Sequence, residues 1–477
     1  MTAVAWSQPV LLMDIGSTHT KLTAVDLAGP MLLGQAHAPT TVDDVGRGFA
    51  AALDRLGEHL GGLPAWRHRL ACSSAAGGLR LVAIGLVPKL TAEAARRAAL
   101  GAGARVIAAY AYELTDQDTE EIRGLRPDII LLAGGTDGGN RTVLLANAAR
   151  LAAADPGVPI VVAGNREAAP EAAQILRQGG QDVWVTENVM PRLNELNVEP
   201  ARRIIREIFF RLIVEAKGMA DLARQLDGVL MPTPAAVLQG AQLLADGSGR
   251  EPGLGPLMVV DIGGATTDVH SIAHGEPTEP GVQVRGLAEP YAKRTVEGDL
   301  GMRHSAPGIF AVAGEKLAGW LGRPEKELAA AVARLAEEPE YVPAPGDEEG
   351  RRLDRALGAA AVAVAVERHV GRLKERVTAA GTMRFQEGKD LRRLSYMIGT
   401  GGIFRLEENI DLLRHGCAGT GDGVPYPPEE GIPLLPVEPA LAADSRYLLA
   451  PMGLLATVAP EPALQLLKQH LSLMEAS

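Results

Sequence analysis

Two short runs carry the residues best suited to chemistry. Asp14-Ile15-Gly16-Ser17-Thr18-His19-Thr20-Lys21 is echoed by Asp261-Ile262-Gly263-Gly264-Ala265-Thr266-Thr267-Asp268. Each follows an apolar stretch and sets an Asp two residues before a Gly, with small hydroxyl residues after it. Glycines at Gly16, Gly263 and Gly264 let backbone amides approach phosphate oxygens closely. Hydroxyls at Ser17, Thr18, Thr266 and Thr267 add donors. Asp14, Asp261 and Asp268 are the candidate catalytic carboxylates, ordering Mg²⁺ and water; Asp14 and Asp261 would hold the ion through water, since Mg²⁺ keeps much of its hydration shell. The alternative for each carboxylate is a capped turn. Lys21 either neutralises phosphate charge or faces solvent. A third run, Met397-Ile398-Gly399-Thr400-Gly401-Gly402-Ile403-Phe404, has glycines where an adenine ring could lie flat on the backbone: Gly399, Gly401 and Gly402. Two facing Asp-Gly hairpins with a late Gly-Thr-Gly-Gly fit ATP or ADP with Mg²⁺.

Strands must position these loops. Val10–Met13 and Lys21–Leu27 read as a strand, a Gly turn and a second strand, with a third near residue 30 and a helix over about 43–60. Residues 70–190 alternate short apolar runs with helical stretches, which suggests an inserted α/β module with a largely parallel sheet. Helices are expected from Arg202, over Ala235–Leu244, and across Gly308–Leu321, Pro324–Leu335 and Leu353–Val377, with two more after Ser445. The expected division is 1–69 and 191–250 for a first lobe, 251–444 for a second, and 445–477 for closing helices.

Composition narrows the function classes. The 477 residues have a formal charge of −11, which disfavours nucleic acid and anionic membranes as partners. No apolar run approaches the roughly 20 residues of a bilayer span, and no signal-peptide pattern opens the chain. Cys72 and Cys417 are isolated thiols, as expected of a cytoplasmic protein. There is no P-loop pattern, and Val106 stands where a dinucleotide fingerprint needs its third Gly. The run from Asp268 to Ala273 falls one residue short of the D-x-H-x-x-G cobalamin signature, because Ala273 replaces its Gly; no direct cobalamin binding is expected. The Gly-rich run Leu131–Asn140 lies in the module, ahead of the second hairpin, and is either a strand-ending loop or a surface for a partner or second ligand.

The order of hairpin, second hairpin and Gly-Thr-Gly-Gly resembles the phosphate-one, phosphate-two and adenosine motifs of the actin, sugar-kinase and heat-shock-chaperone superfamily. That resemblance implies a two-lobed, actin-like (ribonuclease H-like) α/β ATPase fold carrying the inserted module. The helices over 234–244 and 450–456 resemble its connecting segments. A closer resemblance rests on Cys72-Ser-Ser-Ala-Ala-Gly-Gly-Leu, Leu131-Leu-Ala-Gly-Gly-Thr-Asp-Gly-Gly-Asn, the second hairpin, and Lys293-Arg-Thr-Val-Glu-Gly-Asp-Leu-Gly-Met-Arg. Together these are similar to the glutamate mutase L, or methylaspartate mutase accessory, family, which is unrelated to the mismatch-repair protein sharing that letter. The resemblance implies an ATP-dependent, chaperone-like reactivator of an adenosylcobalamin-dependent mutase, with slow Mg-dependent ATP hydrolysis and the mutase subunits as partners. A small-molecule kinase and a non-hydrolysing, nucleotide-regulated scaffold are the alternatives.

Overall fold

A computed structural model describes residues 6–16, 19–41, 44–73, 79–102, 104–215, 224–227, 230–378, 381–419 and 430–474. The chain divides into two compact units, Met1–Ala236 and Val237–Ser477.

The first unit opens with β1 (Pro9–Ile15), β2 (His19–Asp26) and β3 (Met31–Pro39), an antiparallel meander. β1 is buried along its whole length, as its apolar run Val10–Met13 requires. Helix α1 (Val45–Leu60) follows, capped by Asp44, whose carboxylate accepts from the Gly46 amide. β4 (His68–Ser73) then pairs parallel to β1, and β10 (Leu230–Pro232) parallel to β4. The sheet order is β3-β2-β1-β4-β10.

Between β4 and β10 the chain builds a second sheet from β5 (Leu79–Gly85), β6 (Ala104–Ala111), β7 (Ile129–Leu132), β8 (Ile160–Val162) and β9 (Val183–Val185). All its pairings are parallel, in the order β6-β5-β7-β8-β9. Its helices are α2 (Pro88–Gly101), α3 (Asp116–Leu125), α4 (Thr142–Ala154), α5 (Ala169–Gln178) and α6 (Glu199–Glu215). One sheet face packs Val82, Ile84, Ile130 and Leu132 on Leu144, Leu151 and Leu176 of α4 and α5. The other face, with Leu81, Ala83, Ile129 and Leu131, shares a core with Leu11, Met13 and Leu22 of the first sheet. An inserted, largely parallel α/β module is therefore present. Leu70–Cys72, expected in the module, pairs instead with β1, and the module's sheet starts at β5.

Helix α7 (Thr233–Asp246) begins in the first unit and runs on into the second. There β11 (Leu257–Ile262), β12 (Thr267–Ile272) and β14 (Ala292–Glu297) repeat the antiparallel meander. β17 (Tyr396–Gly401) and β19 (Ala440–Ala443) extend it in parallel, and β20 (Ser472–Leu473) closes the edge. The order β14-β12-β11-β17-β19 repeats, strand for strand and sense for sense, the order β3-β2-β1-β4-β10. Helices α8 (Ala306–Leu321), α9 (Glu325–Glu337) and α10 (Glu348–His369) follow β14, and α10 is buried against Met258, Val260, Val269 and Met397. α11 (Leu449–Leu455) and α12 (Pro460–His470) end the unit.

A four-stranded sheet of β13 (Val282–Arg285), β16 (Gly381–Glu387), β15 (Arg372–Thr378) and β18 (Ile432–Pro433) stands apart from that core sheet. The expected helix over Leu353–Val377 stops at His369; beyond Gly371 the chain is β15, hydrogen-bonded along β16. A Cβ at Gly371 would lie 2.6 Å from the Gly388 carbonyl carbon, so the close crossing at the base of that hairpin fixes where the helix ends. No helix among the described residues is long and apolar enough to cross a membrane.

Candidate phosphate and nucleotide site

The first hairpin places Asp14 one residue before the end of β1, 3% exposed. Register sets Lys21 directly across from it, with Nζ 3.8 Å from Oδ2. The Thr233 hydroxyl at the start of α7 donates to Asp14 Oδ1 at 2.6 Å, and the Cys72 thiol approaches the same oxygen at 3.5 Å. Burial, then the Asp14 charge, pushes the Cys72 thiol well above its ordinary value, so it stays protonated and able to donate. Gly16 closes the turn through its amide to the His19 carbonyl at 3.0 Å. A Cβ there would sit 2.6 Å from that oxygen, which explains the glycine. Thr40 donates to the Gly16 carbonyl at 2.9 Å. Ser17 and Thr18 lie outside the described residues.

In the second hairpin the Gly263 amide donates to Thr266 O at 2.9 Å. The outer carbonyls of the turn are all taken by one segment, residues 301–305. Met302 N donates to Gly263 O at 3.0 Å, Arg303 N to Gly264 O at 2.8 Å, and Ser305 Oγ to Ala265 O at 2.7 Å. Gly301 makes this clasp possible, because a Cβ on it would lie 2.3 Å from the Ala265 carbonyl carbon. The amides of Gly264, Ala265 and Thr266 donate to no group among the described residues, and Gly264 and Ala265 are exposed. Successive unbonded amides in a rigid turn form a concavity suited to an anion such as phosphate.

Asp261 is half-buried and lies directly across from Asp268. Like charges in that relation repel. Arg294 on β14 offsets one of them: its Nε donates to Asp268 Oδ1 at 2.7 Å, while Thr266 Oγ1 is 3.2 Å from Oδ2. Both Asp268 oxygens are thus engaged within the protein. Thr267 is fully buried and donates to the Leu300 carbonyl at 2.5 Å, so its hydroxyl serves the clasping segment. Glu297 and Asp299 both meet Arg368 of α10. Burial pushes the Glu297 carboxyl up, against the pull of that guanidinium. His270 is fully buried, neither ring nitrogen is bonded among the described residues, and burial, then Arg294, holds it well below its usual range; it is neutral.

Parallel pairing of β11 with β17 sets Asp261 beside Thr400 and Ile262 beside Gly401, so the second and third motifs meet at one sheet end. Gly401 has φ 100° and ψ −179°, a conformation essentially reserved for glycine. A Cβ on it would lie 2.2 Å from Ile262 O. Gly399 packs under the Phe404 ring, where a Cβ would come within 2.5 Å. A Cβ on Gly402 would meet nothing within 4 Å, leaving an open backbone face. Thr400 is buried and bonds Asp444, which also caps α11 by accepting from the Leu448 and Leu449 amides. α11 in turn packs on α7, where a Cβ on Gly240 would lie 2.3 Å from Leu449 O. The two helices expected to be connecting segments therefore touch through glycine.

Sequence reasoning missed Thr233, Arg294, Arg303, Ser305 and Asp444. Each acts through a partner distant in sequence, and only Arg294 and Arg303 lay within a motif already singled out. Among the described residues, no group of three or more His, Cys, Asp or Glu side chains could hold a metal ion.

The module's chain order across its sheet is 2-1-3-4-5, with the switch point between β5 and β7. Gly134–Asn140 follows β7 at that point. The loop is tied by Asn188 Nδ2 to Gly135 O at 3.0 Å, by Asn165 Nδ2 to Gly139 O at 3.2 Å, and by the Gly138 amide to Glu167 at 2.7 Å.

Two sheets with the same five-strand order, each carrying an Asp-Gly hairpin at its centre, define an actin-like, ribonuclease H-like α/β fold with an inserted α/β module. The chain belongs to the MutL protein family, whose sequence model matches residues 10–471. It is 48% identical over 465 residues to Protein MutL of Clostridium tetanomorphum, covering 97% of this chain and 98% of that one. Solved structures similar to it are far more distant. A xylulose kinase from Brucella ovis is 13% identical, with TM-score 0.34, over 96% of this chain and 92% of its own. An activator of 2-hydroxyisocaproyl-CoA dehydratase from Clostridium difficile, with bound ADPNP, is 10% identical, with TM-score 0.30, over 98% and 100%. The family assignment rests on the sequence matches, not on these.

Proposed function

We propose that this chain binds Mg-ATP and Mg-ADP, hydrolyses ATP slowly, and uses the cycle to reactivate an adenosylcobalamin-dependent mutase of the glutamate or methylaspartate type. The clasped turn Gly263–Thr266, with three amides free of other partners, carries the nucleotide reading. In this reading the Gly264, Ala265 and Thr266 amides hold phosphate oxygens; at the first hairpin Lys21 neutralises phosphate charge and Gly16 closes the turn. Gly402 gives the adenine an open backbone surface, while Gly399 and Gly401 are packed against Phe404 and Ile262 and shape the strand end that presents it. Asp14 and Asp261 hold Mg²⁺ through water; Mg²⁺ would neutralise phosphate charge. Thr233 and Lys21 hold the Asp14 carboxylate in place. Asp268, engaged by Arg294, sets the charge around Asp261 and orients water through it. Family membership supports the mutase as partner, with the inserted module as the docking element; the chain itself binds no cobalamin.

Calorimetry with Mg-ATP and Mg-ADP tests the first step, and absence of binding by either overturns the nucleotide reading. The second step is tested with an inactivated mutase, fresh adenosylcobalamin and this protein. Recovery should require hydrolysable ATP and fail with Asp261→Asn. Recovery at the same rate without this protein overturns the reactivase reading. Turnover that appears only with an added small acceptor identifies a kinase instead.

A further inference from the structure

A cavity of about 370 Å³ opens between the end of α8, α9 and the start of α10, and none of its lining residues belongs to the three motifs. Its floor is apolar: Ala331, Leu335 and Leu353. Most of its charges are already spent. Arg323 pairs with Glu349, and Asp347 accepts from the Tyr341 hydroxyl and the Gly350 amide. Arg334 and Glu338 differ: neither side chain has a hydrogen bond or ion pair among the described residues. They are four apart, but Glu338 has already left the helix, with φ −119° and ψ 66°. Arg before Glu is also the poorer order for such a pair. The cavity thus presents one unspent guanidinium, one unspent carboxylate and an apolar floor.

That combination selects its ligand. A bare anion is repelled by Glu338, Asp347 and Glu349, and a bare cation by Arg334 and Arg323. A nucleotide would set its phosphates against three carboxylates. A small zwitterion satisfies both unspent groups at once: carboxylate on the Arg334 fork, ammonium on Glu338, side chain over Leu335 and Leu353. The volume sits at the low end for small-molecule pockets. We infer that this cavity is a binding site for a small α-amino acid.

The site is also wired to the clasped turn. Arg303 donates from Nε to Tyr341 O at 2.9 Å and from its two terminal nitrogens to Asp354, next to Leu353, at 3.0 and 2.8 Å. Its amide is the donor to Gly264 O. An amino acid that orders Tyr341 and the first turn of α10 therefore stiffens the turn through Arg303. Coupled ordering of this kind makes each ligand favour the other. This second step rests on the nucleotide reading above; the first does not.

The test titrates the intact chain, without nucleotide, with alanine, valine, glutamate and ornithine, and with isobutylamine and isobutyrate as one-charge controls. At least one amino acid should bind, with both controls at least about tenfold weaker, equivalent to about 1.4 kcal/mol. Arg334→Gln and Glu338→Gln should each cost a similar factor and leave the thermal midpoint unchanged. No binding below about 10 mM, a range of less than about 3 kcal/mol, overturns the site, as does binding that both variants retain. The coupling is then read as the ADP dissociation constant with and without saturating amino acid. A shift of about fivefold or more, lost in Arg303→Lys, supports it; independent binding of the two ligands overturns the coupling alone. Amino-acid binding with no ADP binding at all leaves the site standing and overturns the nucleotide reading.

Discussion

Replacing Gly401 with alanine separates what the Gly-Thr-Gly-Gly run does for the fold from what its neighbour does for a ligand. The new Cβ would start 2.2 Å from Ile262 O and 3.1 Å from Asp261 Oδ1, both on the adjacent strand. Neither can yield cheaply, because Ile262 is the register partner of Gly401 and closes the second hairpin. Backbone strain at φ 100° adds about 1–3 kcal/mol, and overpacking against a carbonyl about the same again. A total of about 2–6 kcal/mol lowers the thermal midpoint on the order of 10 °C for a unit of this size. Gly402→Val, one residue on, enters open space and should leave the midpoint within about 1 °C, well under the cost of one kcal/mol. It should nevertheless weaken Mg-ADP binding about tenfold or more by standing between backbone and adenine, a loss of about 1.4 kcal/mol. Scanning calorimetry and isothermal titration on the two variants give the four numbers. An unshifted midpoint for Gly401→Ala refutes the packing argument, and unchanged ADP affinity for Gly402→Val refutes the adenine surface.

Asp14→Asn and Asp261→Asn should each slow ATP turnover more than they weaken nucleotide binding, because carboxylate charge counts most when charge develops on the transferred phosphoryl group; steady-state rates beside dissociation constants check this. Gly301→Ala should displace the Ala265 carbonyl and cost about 1–3 kcal/mol of stability, together with weaker ADP binding, measured by urea unfolding and titration. Lys389 is fully buried, donates to Tyr291 O and Ser271, and burial, then Lys293, pulls it from 10.5 down to about 7. Between those values the unfolded chain holds a proton that the folded one lacks, so this group makes stability rise with pH from about 7 upward. Urea midpoints from pH 7 to 8.5 should show that slope, and Lys389→Met should flatten it. Cys72, buried and held protonated, should resist iodoacetamide at pH 8 in the native protein and react on unfolding.

Both hairpins and the Gly-Thr-Gly-Gly run were legible because each is a local pattern: an apolar strand, then a turn whose glycines have a backbone reason. The module was legible from alternating apolar runs, but its first strand was misplaced. Leu70–Cys72 and Leu79–Gly85 are both short apolar runs, and only pairing shows that one joins β1 and the other β7. The hairpin β15–β16 was hidden for a different reason. Arg372–Thr378 is rich in charge and follows a long helix without a break in composition, while its strand character comes from β16 and β18 on either side. The residues that hold the site in place were illegible for the same cause: Thr233 reaches Asp14 across 219 positions, and Asp444 reaches Thr400 across 44.

The two hairpins share an architecture but not an electrostatic solution, and the difference bears on what each does. Across from Asp14 stands Lys21, a partly exposed cation paired with it. Across from Asp261 stands Asp268, whose neutralising partner Arg294 is only 7% exposed and already engaged. The first hairpin thus pairs its carboxylate with a partly exposed cation. The second keeps a pair of carboxylates beneath a turn held from outside by residues 301–305. A turn held that firmly transmits strain rather than absorbing it, and the clasp passes through Arg303 to Tyr341 and α10. Within its own unit the second hairpin is therefore where a ligand bound at the turn would be felt.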